Sequence, residues 1–286
     1  MSRSSTHALR LSGSNARAPP TLSAPIDAPS AAVLGVVQGL TEFLPVSSSG
    51  HVAIGAAYFG LQQGSLALTI VLHLGTLIAT LILFRSDVAD LLSTAVRSIR
   101  EPRTLRESAN GRTFVGIAIA TLITAAIGFG LRDLAEAISS QLHLVAWGFL
   151  ISAMALLLTR GAKGRSDALS TTQAALVGLA QGIAVLPGIS RSGMTIAVAL
   201  LLGIRGPEAF RFSFLASLPA IAGAALYEAV SSSGFGALGL NVWIGGITAL
   251  VTGYLALVLL RHIVLVGRMW MFALYLVPLA LLLMTR

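Results

Sequence analysis

Two polar stretches hold the side chains in this sequence that could do chemistry. The first runs Gln38-Gly-Leu-Thr-Glu42-Phe-Leu-Pro45-Val-Ser47-Ser48-Ser49-Gly50-His51. The second runs Gln181-Gly-Ile-Ala-Val-Leu-Pro187-Gly-Ile-Ser190-Arg191-Ser192-Gly193-Met194-Thr195. Arg191 offers a permanent charge and a planar fork of donors that matches a phosphate. Ser47, Ser48, Ser49, Ser190, Ser192 and Thr195 add hydroxyl donors. This set suits a phosphate or pyrophosphate group. Gln38 and Glu42 are four residues apart, so on a helix they share one face. A buried carboxylate is costly unless paired or metal-bound. Oxygens from Glu42, Gln38 and substrate phosphates would suit a divalent cation, Mg²⁺ or Ca²⁺. The alternative for Glu42 is a purely structural ion pair with Arg191. His51 has open roles as general acid for a leaving phosphate, as nucleophile, or as a base orienting Ser48. It could also serve only to hydrogen-bond the turn. His73, in Val-Leu-His-Leu-Gly, reads first as a helix-packing hydrogen-bonder.

These groups need a frame that brings distant residues together. The shift that lays Gln38 on Gln181 also lays Gly39 on Gly182, Ser47 on Ser190, Ser49 on Ser192, Gly50 on Gly193 and Gly60 on Gly203. That shift is half the chain. The surroundings of both motifs are apolar. The chain is 55% hydrophobic and 10% charged, with a mean hydropathy of +0.86. A soluble domain carries about 25% charged residues. The sequence is therefore that of an all-α polytopic membrane protein, in which an internal Glu or Arg marks a functional site by default. There is no cysteine, which excludes disulfides, thiolate metal sites and cysteine nucleophiles.

Each motif is flanked by apolar pieces too short to span a bilayer alone: Ala31–Leu44 and His51–Leu61, then Ala174–Leu186 and Met194–Ile204. Pro45 and Pro187 end the helices before them, and the Gly and Ser that follow suit turns. Each motif reads as a re-entrant helical hairpin. His51 and Met194 are expected to open the outgoing helices, whose N-terminal ends favour an anion. Six longer runs remain, about Ser65–Phe84, Thr113–Leu131, Leu142–Leu158, Ala209–Val230, Val242–Leu260 and Trp270–Met284. The order is hairpin, three spans, hairpin, three spans. An odd number of spans per half inverts the second half, giving an inverted-topology repeat of six transmembrane helices plus two re-entrant hairpins. Repeat one covers about residues 31–160 and repeat two about 174–286 of a single membrane domain, residues 31–286.

The net charge of +8 is a topology signal before it is a sign of nucleic-acid binding, and no nucleic-acid partner is expected. Most of the 19 Lys and Arg residues fall on one side of this layout. They include the Arg85–Arg112 loop, Arg160 to Arg165, Arg205, Arg211, Arg261 and Arg268. That side reads as cytoplasmic, so both termini face outward. Residues 85–112 mix apolar with charged positions and read as an interfacial helix and loop. Residues 1–30 are rich in Ser, Ala, Pro and Arg without an apolar core, and read as a disordered polar tail.

At its motifs the chain resembles the undecaprenyl-diphosphatase family, the integral-membrane, bacitracin-resistance type. The shared features are the Gln38-to-Glu42 element, Pro45 to His51, and Pro187 to Thr195, with Leu72-His73-Leu74-Gly75-Thr76 and Phe212-Ser213-Phe214-Leu215. The resemblance runs from about residue 31 to the C-terminus. It implies hydrolysis of undecaprenyl diphosphate to the monophosphate at the outer face of the bacterial cytoplasmic membrane, which recycles the peptidoglycan lipid carrier and removes the target of bacitracin. Carried over, Gln38 and Glu42 would help hold the cation. Ser48 or His51 would be nucleophile or acid, and Arg191 with Ser190, Ser192 and Thr195 would grip the phosphates. Many members have Glu where this chain has Gln38. The expected partners are a polyprenyl diphosphate lipid, the bilayer and, as an open option, a second copy of the chain. The competing reading is a transporter or flippase of a lipid phosphate or other anion, because broken helices meeting at the midplane are also a transporter signature.

Overall fold

The computed structural model describes residues 26–59, 66–231 and 239–285. Most of the expected tail and Gly60 lie outside these residues. Thirteen α-helices follow one another along the described chain, and no β-sheet accompanies them. They are α1 Ala28–Phe43, α2 Ser48–Phe59, α3 Leu66–Leu83, α4 Arg85–Arg100, α5 Thr104–Glu107, α6 Ala109–Gly130 and α7 Arg132–Ser139. Then come α8 Leu142–Leu158, α9 Thr171–Ile183, α10 Arg191–Leu201, α11 Gly206–Ser231, α12 Leu240–Leu265 and α13 Ala273–Met284. A short 3₁₀ turn, Met269–Phe272, leads into α13.

Among the described residues, three helices are long and apolar enough to cross a membrane: α6, the Gly206–Tyr227 part of α11, and α12. The count reaches 5 if two bent pairs are each taken as one span. One pair is α3 with α4, bent by 82°, and the other is α7 with α8, bent by 113°. The bend after α3 falls where the sequence changes from apolar to charged at Arg85, and α4 leaves the direction of α3 there. Its outer face carries Val96 and Ile99, 68% and 81% exposed. Exposed apolar side chains such as Leu122 and Ile247 also cover the long helices. A surface of this kind suits hydrocarbon rather than water. The protein is a multi-pass membrane protein.

The helix ends follow local chemistry. Asp27 caps α1 by accepting from the Ser30 N–H at 2.9 Å. Leu44 is extended because Pro45 follows it, and α1 stops at Phe43. Ser170 and Gln173 form a reciprocal capping box at the start of α9. The two outgoing helices begin earlier than expected, at Ser48 and Arg191 rather than at His51 and Met194. The reason is capping. The Ser47 hydroxyl accepts from the Gly50 N–H, and the Ser190 hydroxyl accepts from the Gly193 N–H.

The packing exchanges elements between the two halves. α1 packs mainly on α12, while α9 packs mainly on α6; α12 also packs on α3, and α6 on α11. Glycine makes the closest approaches possible. A methyl group at Gly35 would lie 2.0 Å from Thr248 Oγ1 and 2.3 Å from the Gly245 carbonyl oxygen. Thr252 Oγ1 donates to the Gly35 carbonyl at 3.4 Å, and Thr124 Oγ1 donates to the Gly178 carbonyl at 3.1 Å. Gly35→Ala is expected to force α1 off α12 and to destabilise the fold by about 1–3 kcal/mol. A thermal melt in detergent checks this; an unchanged midpoint would contradict the close contact.

Candidate active site

The two hairpin tips meet. A methyl group on Gly193 would stand 3.1 Å from Pro45 Cβ, and one on Gly50 would stand 3.1 Å from Gly188 Cα. The first tip turns through Ser47, a non-glycine residue at φ 68°. The second turns through Gly188, at φ 88°, where the missing side chain removes the steric cost. Ser152 on α8 pins the second tip from behind. Its hydroxyl donates to the Gly188 carbonyl at 3.2 Å and accepts from the Ser190 N–H at 2.8 Å.

At this junction Arg191 forms an ion pair with Glu42, linking the first turn of α10 to the last turn of α1. The Glu42 side chain is 3% exposed and that of Arg191 is 25% exposed. The carboxylate is fully engaged. Arg191 meets Oε1, while Oε2 accepts from Gln38 Nε2 at 3.0 Å and from Ser48 Oγ at 2.8 Å. The spacing of four residues does place Gln38 and Glu42 on one helix face. The Ser48 contact has a consequence for reactivity: a serine hydroxyl that donates to a carboxylate has an acceptor in place for its proton.

His51 lies one turn into α2. Its Nδ1 is 2.8 Å from the Ser47 carbonyl oxygen, which only accepts, so in the neutral ring Nδ1 carries the proton. Nε2 then accepts from the Tyr275 hydroxyl at 2.7 Å. The Tyr275 ring also stacks on the imidazole, with centroids 5.8 Å apart and planes 11° apart, and Phe149 meets it edge-on at 5.6 Å. Tyr275 is absent from the sequence reading. Its one visible mark is that it is a hydroxylated ring in an otherwise aliphatic segment, Ala273-Leu-Tyr-Leu-Val-Pro278. Tyr275→Phe is expected to lower kcat about tenfold, the weight of one oriented hydrogen bond, with KM little changed. An unchanged kcat would remove Tyr275 from the site.

The remaining expected residues sort by what holds them. Ser47 and Ser190 are buried caps, each within 3.2–3.3 Å of the next serine hydroxyl, Ser49 and Ser192. Ser49 is exposed. The Thr195 hydroxyl donates to the Arg191 and Ser192 carbonyls and is buried, so it holds the first turn of α10 in shape. His73 donates from Nδ1–H to the Thr69 carbonyl at 2.9 Å, and it stands within electrostatic range of Glu42. Gln181, the counterpart of Gln38, has no carboxylate beside it. It donates instead to Thr124 Oγ1 at 3.1 Å and to the Ala216 carbonyl at 3.3 Å. Among the described residues no cluster of three His, Asp or Glu side chains is placed to hold a metal. The protein's own donors near the pair are one carboxylate and one amide.

Comparison with known proteins gives the family. The family model described as bacitracin resistance protein BacA matches residues 31–282. A protein of Desulfosudis oleivorans named undecaprenyl-diphosphatase is 43% identical over 254 residues, covering 85% of this chain and 92% of its own length. Proteins of the same name from Korarchaeum cryptofilum and Treponema denticola are each 38% identical. They cover 86% and 88% of this chain, and 94% of their own length in both cases. With both motifs joined at one buried ion pair and the match running through nearly all of the described chain, the protein belongs to the BacA family of undecaprenyl-diphosphatases.

Proposed function

We propose that this protein hydrolyses the anhydride bond of undecaprenyl diphosphate, giving undecaprenyl phosphate and inorganic phosphate. The observation that carries this reading is the Ser48 hydroxyl donating to a buried carboxylate that also pairs with Arg191. Ser48 Oγ attacks the terminal phosphorus as its proton passes to Glu42. The P–O bond to the lipid-linked phosphate breaks, and that phosphate leaves. Water then cleaves the phosphoserine and restores the hydroxyl. Arg191 turns from Glu42 toward the phosphoryl oxygens and stabilises the charge they carry in the transition state. The N–H groups at the starts of α2 and α10 face the same junction and favour the same anion. His51, once it carries a second proton on Nε2 and while the Ser47 carbonyl still holds Nδ1–H, donates that Nε2 proton to the leaving phosphate.

A divalent cation fits this site as a companion of the substrate. Glu42 and Gln38 would hold it on the protein side, and diphosphate oxygens and water would complete its shell, as suits Mg²⁺. Bound there, it would neutralise phosphate charge.

The halves read as an inverted repeat within one membrane domain. Three correspondences support this. α1 on α12 mirrors α9 on α6. The Thr252–Gly35 contact mirrors Thr124–Gly178. The serine caps at the two tips are alike. Polar contacts at the helix ends also segregate as six spans and two hairpins require. Asp87–Arg211, Asp167–Arg205 and Arg160–Trp270 lie at the cytoplasmic end of that layout. Arg132–Tyr227 and Asn241–Ile26 lie at the outer end, together with the start of α1. The first hairpin therefore enters from outside, and the site opens there.

The test is release of inorganic phosphate from a long-chain polyprenyl diphosphate by the purified protein in detergent. Turnover is expected, and a chelator is expected to suppress it. No release with any cation, together with movement of a lipid phosphate across vesicles, would replace the hydrolase by a flippase.

A further inference from the structure

A second group of cationic side chains stands apart from the catalytic pair. The loop between α8 and α9 and the end of α10 form an open cavity of 620 Å³, lined by Leu158, Arg160, Lys163, Arg165 and Leu201 among others. α10 starts at the pair and ends at this cavity 11 residues later, about 16 Å along its axis. The two sites therefore lie at opposite ends of one helix.

The cavity is built rather than incidental. Its loop is fastened to the end of α10: the Arg165 and Ser166 N–H groups donate to the Gly203 carbonyl at 2.7 and 3.1 Å. The Arg205 N–H returns a bond to the Ser166 carbonyl at 2.9 Å. A side chain at Gly164 would collide with Arg205 Cα at 2.4 Å, so the loop lies flat against the next strand of chain. Three cations stand on this fixed frame, and no acidic residue lines the cavity. Among the described residues, neither Arg160, Lys163 nor Arg165 forms an ion pair. The nearby Asp167 is taken by Arg205 at 2.6 Å. The Arg160 guanidinium sits 5.0 Å above the Trp270 ring, an aromatic of the type enriched at membrane interfaces. The other wall is leucine, with Leu158 and Leu201 58% and 47% exposed. A preference for basic residues on one side of the membrane explains the sign of the charges. It does not explain their grouping over a leucine-walled cavity beside a tryptophan.

We propose that this cavity binds the phosphate headgroup of an anionic phospholipid, with an acyl chain lying along Leu158 and Leu201. The cations supply the attraction, and the fixed loop removes the ordering cost.

Trp270 reports on the site. In a Trp147→Phe/Trp243→Phe background it is the sole tryptophan. Brominated phosphatidylglycerol and brominated phosphatidylcholine are compared as quenchers at equal mole fraction in nanodiscs. Phosphatidylglycerol is expected to quench preferentially. The preference should fall about fivefold for each charge removed in Arg160→Gln, Lys163→Gln and Arg165→Gln variants. Arg160→Lys/Arg165→Lys should retain it, and phosphate release in detergent should stay at the wild-type rate throughout. Native mass spectrometry of wild type against the triple Gln variant gives a second count of retained phosphatidylglycerol, without the tryptophan changes. Equal quenching by the two lipids, or an undiminished preference in the triple variant, would overturn the proposal. So would loss of the preference on adding equimolar inorganic phosphate, which would make free phosphate the ligand.

Discussion

Purified Arg191→Ala protein is expected to release phosphate from a polyprenyl diphosphate about 10³-fold more slowly than wild type, or worse. The guanidinium is the one permanent positive charge at the junction of the tips, and its fork suits two phosphoryl oxygens at once. Lysine keeps the charge and loses the fork, so Arg191→Lys should recover only part of the rate. The substitution also has a structural effect. Glu42 is buried, and without its partner it becomes an uncompensated charge, a loss of about 3–5 kcal/mol for pairs of this kind. The melting midpoint of Arg191→Ala should therefore fall together with its activity. Glu42→Gln/Arg191→Met separates the two effects. It removes both charges, keeps similar volumes, and should melt near wild type while remaining inactive. A folded Arg191→Ala enzyme working at the wild-type rate would remove the arginine from the reaction. A double variant as unstable as the single one would mean that the loss comes from packing rather than charge.

The second large effect belongs to Ser48. If its oxygen attacks phosphorus, Ser48→Ala abolishes the covalent route, and the rate should fall about 10⁴-fold or more. His51→Ala removes proton transfer but leaves the nucleophile and its acceptor, so the loss there should be about 10²-fold. The neighbouring serines separate nucleophile from scaffold, because Ser49 is exposed and has no contact with Glu42 of the kind Ser48 has. Acid quenching during turnover followed by mass spectrometry should find phosphate on Ser48. Retention of activity within tenfold in Ser48→Ala, with no adduct on any serine, would leave an activated water as the attacking group.

The parts of this molecule that were legible in the sequence are those set by short-range chemistry or by the match between the two polar motifs. Pro45 and Pro187 stop their helices wherever the rest of the chain lies. The contact of Glu42 with Arg191 joins residues 149 apart, and it could be anticipated because the two motifs match each other in sequence. The helix starts were misplaced because a serine before a Gly-containing turn caps earlier than apolar periodicity suggests: Ser47 and Ser190 claim the N–H groups of Gly50 and Gly193. Phe149 and Ser152 were not legible, and Tyr275 only as a hydroxylated ring in an aliphatic segment. Each reaches the site from a helix that looks like ordinary membrane span, and only the docking of α8 against α13 turns these side chains toward the tips. Span number was legible only coarsely. α13 follows a 3₁₀ turn and carries Pro278 internally, and α8 follows the sharp bend from α7. Length and hydropathy measure such segments poorly.

The packing of α1 on α12 also constrains how the protein is made. The first hairpin leaves the ribosome early, but the helix that covers it begins only at Leu240. About 200 residues separate them, roughly 10–40 s of synthesis. Arg191 follows Glu42 by 149 residues and α12 comes later still, so Glu42 waits first for its ion-pair partner and then for the helix that covers its hairpin. The translocon, or another chaperoning surface, must shelter the nascent hairpin until α12, near the end of the polypeptide, arrives. Truncation after α11 should therefore yield a chain cleared by membrane proteases rather than a half-active enzyme.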